Sequence, residues 1–181
     1  MALAEIGDKT QLLALLLAAK FRQPLPIIAG IVAATLANHL LAAAAGAWVT
    51  QALAPGLLRW ILGLGFLAMA AWTLVPDRTD DGLTGAAKRG AFGTTLVTFF
   101  LAEMGDKTQV ATAMLASRYA ALAAVVAGTT CGMLLADVPA VLLGERLTRA
   151  LPVAWVRRCA AALFALLGLI TLLGAGRSFG L

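Results

Sequence analysis

The 181-residue chain is expected to fold as an all-α polytopic membrane protein, with six transmembrane helices arranged as two inverted three-helix repeats. Three observations predict this. Apolar residues make up 61% of the chain and charged residues only 13%, where a soluble domain carries roughly a quarter charged. Apolar stretches recur along the whole length, each matching or exceeding the ~20 residues that a helix needs to cross a bilayer core. Finally, LAEIGDKTQ at 3–11 returns as LAEMGDKTQ at 101–109, an offset of 98. The alternating pattern of a membrane β-barrel is absent.

The spans are placed in order at 1–20, 27–52, 56–75, 90–116, 120–144 and 153–175. The first has carboxylates before its apolar run and Lys20 after it, the reverse of a signal peptide. Pro24 and Pro26 precede the second span and Pro55 the third, while Pro76 and Pro152 lie in connections, so Pro139 alone falls inside a span. The one long polar connection is PDRTDDGLTGAAKR, 76–89, which divides the chain into a first repeat, 1–75, a linker, and a second repeat, 90–181. The offset of 98 runs on without a gap, pairing Gly30 with Gly128, Leu36 with Leu134, Phe66 with Phe164 and Thr73 with Thr171. It also sets residue 1 opposite residue 99, whereas the second copy is expected to start its first helix near Gly90. About nine residues of the first helix are therefore expected to be missing.

Three helices is an odd number, so the second unit must enter the membrane from the other side. Counting Lys and Arg orients the whole. The face bearing the 20–26, 76–89 and 145–158 connections holds nine of them, and the opposite face holds three, Arg59, Arg118 and Arg177. By the positive-inside rule the first face is cytoplasmic and both termini are extracytoplasmic. This anchoring accounts for the net charge of +5 better than nucleic acid does, because no basic patch with interleaved aromatics is present. Cys131 and Cys159 both sit in apolar context, so they are expected as small packing residues and not as a disulfide or thiolate site.

Five carboxylates lie inside or beside apolar spans: Glu5, Asp8, Glu103, Asp106 and Asp137. An ionised carboxylate near a helix centre costs ~2.5–3.5 kcal/mol, so five without partners would cost roughly 12–18 kcal/mol. They need partners or a bound cation. On a continuous helix, Glu5, Asp8 and Lys9 share about 100° of surface, and Glu103, Asp106 and Lys107 repeat that arc. Gly7 and Gly105 fall on other faces, where a missing side chain either admits a neighbouring helix or lets the helix break. Thr10, Gln11, Thr108 and Gln109 add neutral oxygens just beyond. If the two arcs meet, four carboxylates and two ammonium groups leave a charge of −2, which one divalent cation or two protons would cancel. Such a site has the form of an exchanger, with two protons traded per metal ion. Oxygen ligands suit Ca²⁺, Mn²⁺ or Mg²⁺, and with a single His in the chain, Zn²⁺ and Cu⁺ are disfavoured.

Asp137 has His39 as its repeat counterpart, beside Asn38, which suggests proton transfer or support of the cluster at matched depths. Gly128 and Gly132, with Gly30 and Ala34 opposite, form small-residue steps expected to serve helix packing. The bland alternative for the repeated motif is an ion-pair clamp that only locks the two halves.

Glu5-Ile6-Gly7-Asp8-Lys9-Thr10 and Glu103-Met104-Gly105-Asp106-Lys107-Thr108 are two copies of E-x-G-D-K-T. The chain thereby resembles the bacterial branch of the E-x-G-D-[KR]-[TS] cation/proton antiporter family, which holds manganese exporters of the MneA kind and Golgi Ca²⁺/Mn²⁺:H⁺ antiporters. The resemblance covers essentially the whole chain. It implies a six-helix transporter with Glu5, Asp8, Glu103 and Asp106 as metal ligands, Lys9, Thr10, Lys107 and Thr108 completing the signature, and Mn²⁺ leaving the cytoplasm in exchange for protons. The expected partners are a divalent ion, protons and the lipid of a bacterial inner membrane, with no nucleic acid and no resident cofactor. Oligomeric state stays open. A divalent-cation channel and a non-transporting scaffold are the competing readings. Intramembrane aspartyl proteolysis is not, because its G-x-G-D context is broken by Glu5 and Glu103.

Overall fold

A computed structural model of the chain describes residues 1–75, 90–119, 121–143 and 153–174. All regular structure among the described residues is helical: α1 (Ala2–Glu5), α2 (Lys9–Phe21), α3 (Pro24–Ala52), α4 (Pro55–Leu74), α5 (Gly90–Glu103), α6 (Lys107–Arg118), α7 (Leu122–Leu143) and α8 (Val153–Leu173). Four of these, α3, α4, α7 and α8, are long and apolar enough to cross a membrane. The linker 76–89 and the basic residues of 145–152 lie outside the described residues, as do Arg177 and the segment around it.

The expected first span of each half, 1–20 and 90–116, is not one helix but two. The chain breaks between α1 and α2 and again between α5 and α6, and the cause is local backbone chemistry. Gly7 and Gly105 adopt φ of +80° and +75°, values that a residue with a Cβ takes only at a penalty. Of the two uses expected for these glycines, the break is the one found. At Gly105 nothing among the described residues would lie within 4 Å of an added Cβ, so close helix approach is not its reason. Each glycine is followed by an extended aspartate, Asp8 or Asp106, that forms the N-cap of the next helix. The amide hydrogens freed by the break are not wasted. Gly7 N–H donates to Gln11 Oε1 at 2.8 Å and Gly105 N–H to Gln109 Oε1 at 2.7 Å, so the interruption survives where water is scarce.

Around these broken helices, α3 packs on α5, α6 and α7, α7 also receives α1 and α2, and α4 lies along α8. Small residues set the tightest crossings. An added Cβ on Gly46 would meet the Ala113 backbone, one on Gly168 would meet Gly63 O at 2.9 Å, and one on Gly30 would meet Thr95 Cβ at 2.8 Å. Gly132 closes on Met1 in the same way, but Gly128, expected to pack likewise, has nothing within 4 Å among the described residues. Phe66 and Phe164, equivalent across the repeat, share one buried apolar cluster with Met69 and Met114. Thr35 donates to Met133 Sδ at 3.1 Å, a bond between positions 98 apart, so matched positions of the two copies touch. The outside is apolar: Leu25, Trp48, Leu135, Trp155 and Leu173 are all exposed, as a lipid-facing surface requires. Cys131 and Cys159 are exposed too, which corrects their expected role in packing.

Candidate metal centre

The two helix breaks bring the repeated motifs together. Glu5 is the last residue of α1 and Asp8 caps α2; Glu103 ends α5 and Asp106 caps α6. The acids are therefore presented by unwound backbone, and the continuous-helix arc expected for them does not form. Placing an aspartate at each helix start also aims the positive end of the helix dipole at it. Glu5, Asp8, Glu103, Asp106 and Asp137 are all buried, with Glu5 and Asp137 fully so.

The halves are joined by a crossed pair of ion bonds. Lys9 Nζ lies 3.0 Å from Asp106 Oδ1, and Lys107 Nζ lies 2.7 Å from Asp8 Oδ2. Each lysine thus serves the aspartate of the other copy. Within each copy a threonine serves the glutamate: Thr10 Oγ1 donates to Glu5 Oε2 at 3.1 Å and Thr108 Oγ1 to Glu103 Oε2 at 3.0 Å. The glutamines also reach across, and again to matched positions. Gln109 Nε2 donates to Asn38 Oδ1 at 3.3 Å, and Gln11 Nε2 donates to the carbonyl of Ala136, the counterpart of Asn38, at 3.2 Å. Asn38 in turn donates to Phe100 O at 3.1 Å.

Three of the four acids expected as ligands form one group. Glu5, Asp8 and Asp106 each offer an oxygen such that all three lie within 4.8 Å of one another. That spacing is what a hard divalent cation bridged by carboxylates needs. Glu103 stands beside this triad and is not part of it. Its Oε1 has no hydrogen-bond partner among the described residues, and neither does Glu5 Oε1 nor either oxygen of Asp137. Asp137 lies within electrostatic range of Glu5, Asp8 and Glu103, so it belongs to the same buried field. His39 is buried but turned to Thr130, its Nδ1 lying 3.2 Å from Thr130 Oγ1. Sequence reasoning missed Thr130, the Ala136 carbonyl and the Thr35–Met133 contact. Only the last had a signal, the offset of 98 itself.

A helical chain with apolar outer faces, two interrupted helices and a set of buried acids with their ammonium partners between them has the build of a multi-pass membrane protein that handles cations. Residues 1–81 and 91–178 match the family described as "Divalent cation/proton antiporter GDT1", and the chain belongs to that family. It is 52% identical over 172 residues to a protein of Vibrio cholerae described as "Putative manganese exporter", the match covering 94% of this chain and 86% of the relative. No solved structure matches the chain.

Proposed function

We propose that the chain exports a divalent cation from the bacterial cytoplasm in exchange for protons, with Mn²⁺ as the primary cargo and Ca²⁺ as the second candidate. The observation that carries this reading is the triad of Glu5, Asp8 and Asp106, in which both sequence copies contribute ligands to one buried point. Membership of the antiporter family and the likeness to a described manganese exporter support it. Glu103, buried with an oxygen that lacks a hydrogen-bond partner among the described residues, is assigned to proton carriage, Asp137 to proton transfer or support of the cluster, and Asn38 and His39 to support of the surrounding helices.

The two halves insert in opposite senses, giving six spans in which each broken pair, α1–α2 and α5–α6, counts as one. The nine Lys and Arg residues expected on one face, against three on the other, support a cytoplasmic position for that face, with both termini outside, in the inner membrane. Transport proceeds by one half rocking against the other around the shared acids. A clamp without transport would not need the triad, because the crossed lysine bonds would satisfy the aspartates alone. An open channel would not bury all five of Glu5, Asp8, Glu103, Asp106 and Asp137.

The test is Mn²⁺ uptake into proteoliposomes under an imposed pH gradient, with Ca²⁺ run in parallel. Mn²⁺ is expected to move uphill when the proton gradient runs the other way, and Asp8→Asn and Asp106→Asn are each expected to lose at least ~100-fold in rate, the scale of deleting a charged ligand of a buried ion. Downhill flux alone would make the protein a channel, and full activity of both variants would remove the acids from the mechanism.

A further inference from the structure

Each of the two aspartate carboxylates is already engaged. Asp8 Oδ1 accepts the Lys9 amide N–H at 2.7 Å, while its Oδ2 pairs with Lys107. Asp106 Oδ1 pairs with Lys9 Nζ, and its Oδ2 has at most a share, at 3.4 Å, of the one Thr108 hydroxyl hydrogen that Glu103 accepts at 3.0 Å. A divalent ion that takes one oxygen from each of Glu5, Asp8 and Asp106 must share those ligands with two ammonium groups. Cations held on one carboxylate in a low-dielectric interior repel strongly. Metal and ammonium therefore compete for the same two carboxylates.

The two pairs are not equivalent. The Lys107 side chain is 4% exposed, whereas that of Lys9 is 29% exposed. Thr108 Oγ1 lies 3.0 Å from Glu103 Oε2 and 3.4 Å from Asp106 Oδ2, so the Glu103 carboxylate stands next to the one that Lys9 holds. Glu103 is the one motif acid outside the triad, and its Oε1 has no hydrogen-bond partner among the described residues. An ammonium that leaves Asp106 thus has a buried carboxylate to receive it, and Lys9 has the freedom to make the move.

We propose that Lys9 and Lys107 are tethered counter-cations that hold the metal's seat between loads, and that Lys9 is the one that yields, its ammonium passing from Asp106 toward Glu103 as the ion arrives. This rests on Glu5, Asp8 and Asp106 being the metal site. The device serves both legs of a transport cycle. With the seat empty, the ammonium groups spare the aspartates the penalty of an unpaired buried charge. With the seat full, they stand ready to displace the ion, so the metal is held without being trapped. Because Glu103 lies in the same half as Asp106, the exchange of partners frees the aspartate while Lys9 still ties the two halves together.

The test measures Mn²⁺ binding to the purified full chain in lipid nanodiscs, reading free Mn²⁺ by electron paramagnetic resonance. Lys9→Gln, which removes the competitor, is expected to bind Mn²⁺ on the order of tenfold tighter than the natural chain, and to transport it with both a lower KM and a lower kcat. Lys9→Arg, which keeps the charge, is expected to bind less tightly than Lys9→Gln. In the natural chain, acetylation of Lys9 followed by mass spectrometry is expected to speed up when Mn²⁺ saturates the site. This last measurement stands even if the variant fails to fold. Binding that is unchanged or weaker in Lys9→Gln, while Asp106→Asn still loses Mn²⁺, would make the lysine a clamp and end the proposal with the metal site intact. An acetylation rate indifferent to Mn²⁺ would end it as well. If the natural chain binds no Mn²⁺, or Asp106→Asn binds it equally, the metal-site reading itself falls.

Discussion

Thr10 and Thr108 carry a role that their position in the motif disguises. Read from sequence they are neutral oxygens beyond the acids, available as ligands. In the fold each is a donor, holding Oε2 of the glutamate five residues earlier and leaving Oε1 of that glutamate without a hydrogen-bond partner among the described residues. Losing that donor removes the hydroxyl bond seen at Oε2 of a buried carboxylate, a penalty of about 1–3 kcal/mol. Thr10→Val, which keeps the shape, is therefore expected to reduce Mn²⁺ transport by about 5- to 150-fold. Thr10→Ser restores the hydroxyl and should recover most of the loss. The pair is compared by initial rates in proteoliposomes. A Thr10→Val variant as active as the natural chain would show that the hydroxyl neither orients Glu5 nor compensates its charge. The acids themselves were legible without a structure, because duplicated carboxylates in apolar sequence have few other uses. Which three of the four converge was not legible, since Glu5 and Glu103 occupy the same motif position and differ only in the surroundings that the fold supplies.

At the scale of elements, hydropathy and local chemistry gave conflicting instructions, and local chemistry won. The run 90–116 is apolar throughout its first half and suggests an unbroken span, yet Gly105, Asp106 and Gln109 form a helix stop, a helix cap and a side-chain acceptor for the exposed amide. The same three residue types stand at Gly7, Asp8 and Gln11, so the break was written twice and outweighed in the reading by the apolar count. The long spans α3, α4, α7 and α8 were legible because nothing in them opposes hydropathy; even Pro139 stays inside α7. The break itself is testable. Gly105→Ala forces a Cβ into φ of +75° with no neighbouring atom to blame, so its effect is backbone strain alone. It should destabilise the protein by about 1–2 kcal/mol and turn Asp106 away from the triad. The expected readings are a melting temperature lower by a few degrees and a larger fractional loss of Mn²⁺ transport than of folded protein. Equal losses of both would mean that the glycine serves stability and not the aim of the aspartate.

Across the whole molecule, the proposed exchange makes the charge of the buried field the quantity that couples metal to protons. With Asp137 protonated throughout, Glu5, Asp8, Glu103 and Asp106 against Lys9 and Lys107 leave two negative charges, so one divalent ion or two protons restore neutrality, and occupation by both is opposed. Proton binding removes the charge that holds the metal. Mn²⁺ affinity should accordingly fall as pH falls on the side to which the site is open, and an acidic exterior should drive export. An exchange of two protons for one divalent ion moves no net charge. At equilibrium, a pH difference of one unit should then sustain about a 100-fold Mn²⁺ gradient, since each proton contributes a factor of ten. A membrane potential should leave that gradient unchanged. The measurement is the Mn²⁺ accumulation ratio in proteoliposomes with the pH difference fixed and the potential clamped by a potassium ionophore. Asp137 lies in the same field and supplies the sharpest outcome. If it carries a third exchanged proton, the cycle moves one charge, the potential shifts the ratio, and Asp137→Asn abolishes that shift while transport persists. If it holds its charge state throughout, the ratio ignores the potential in both the natural chain and the variant.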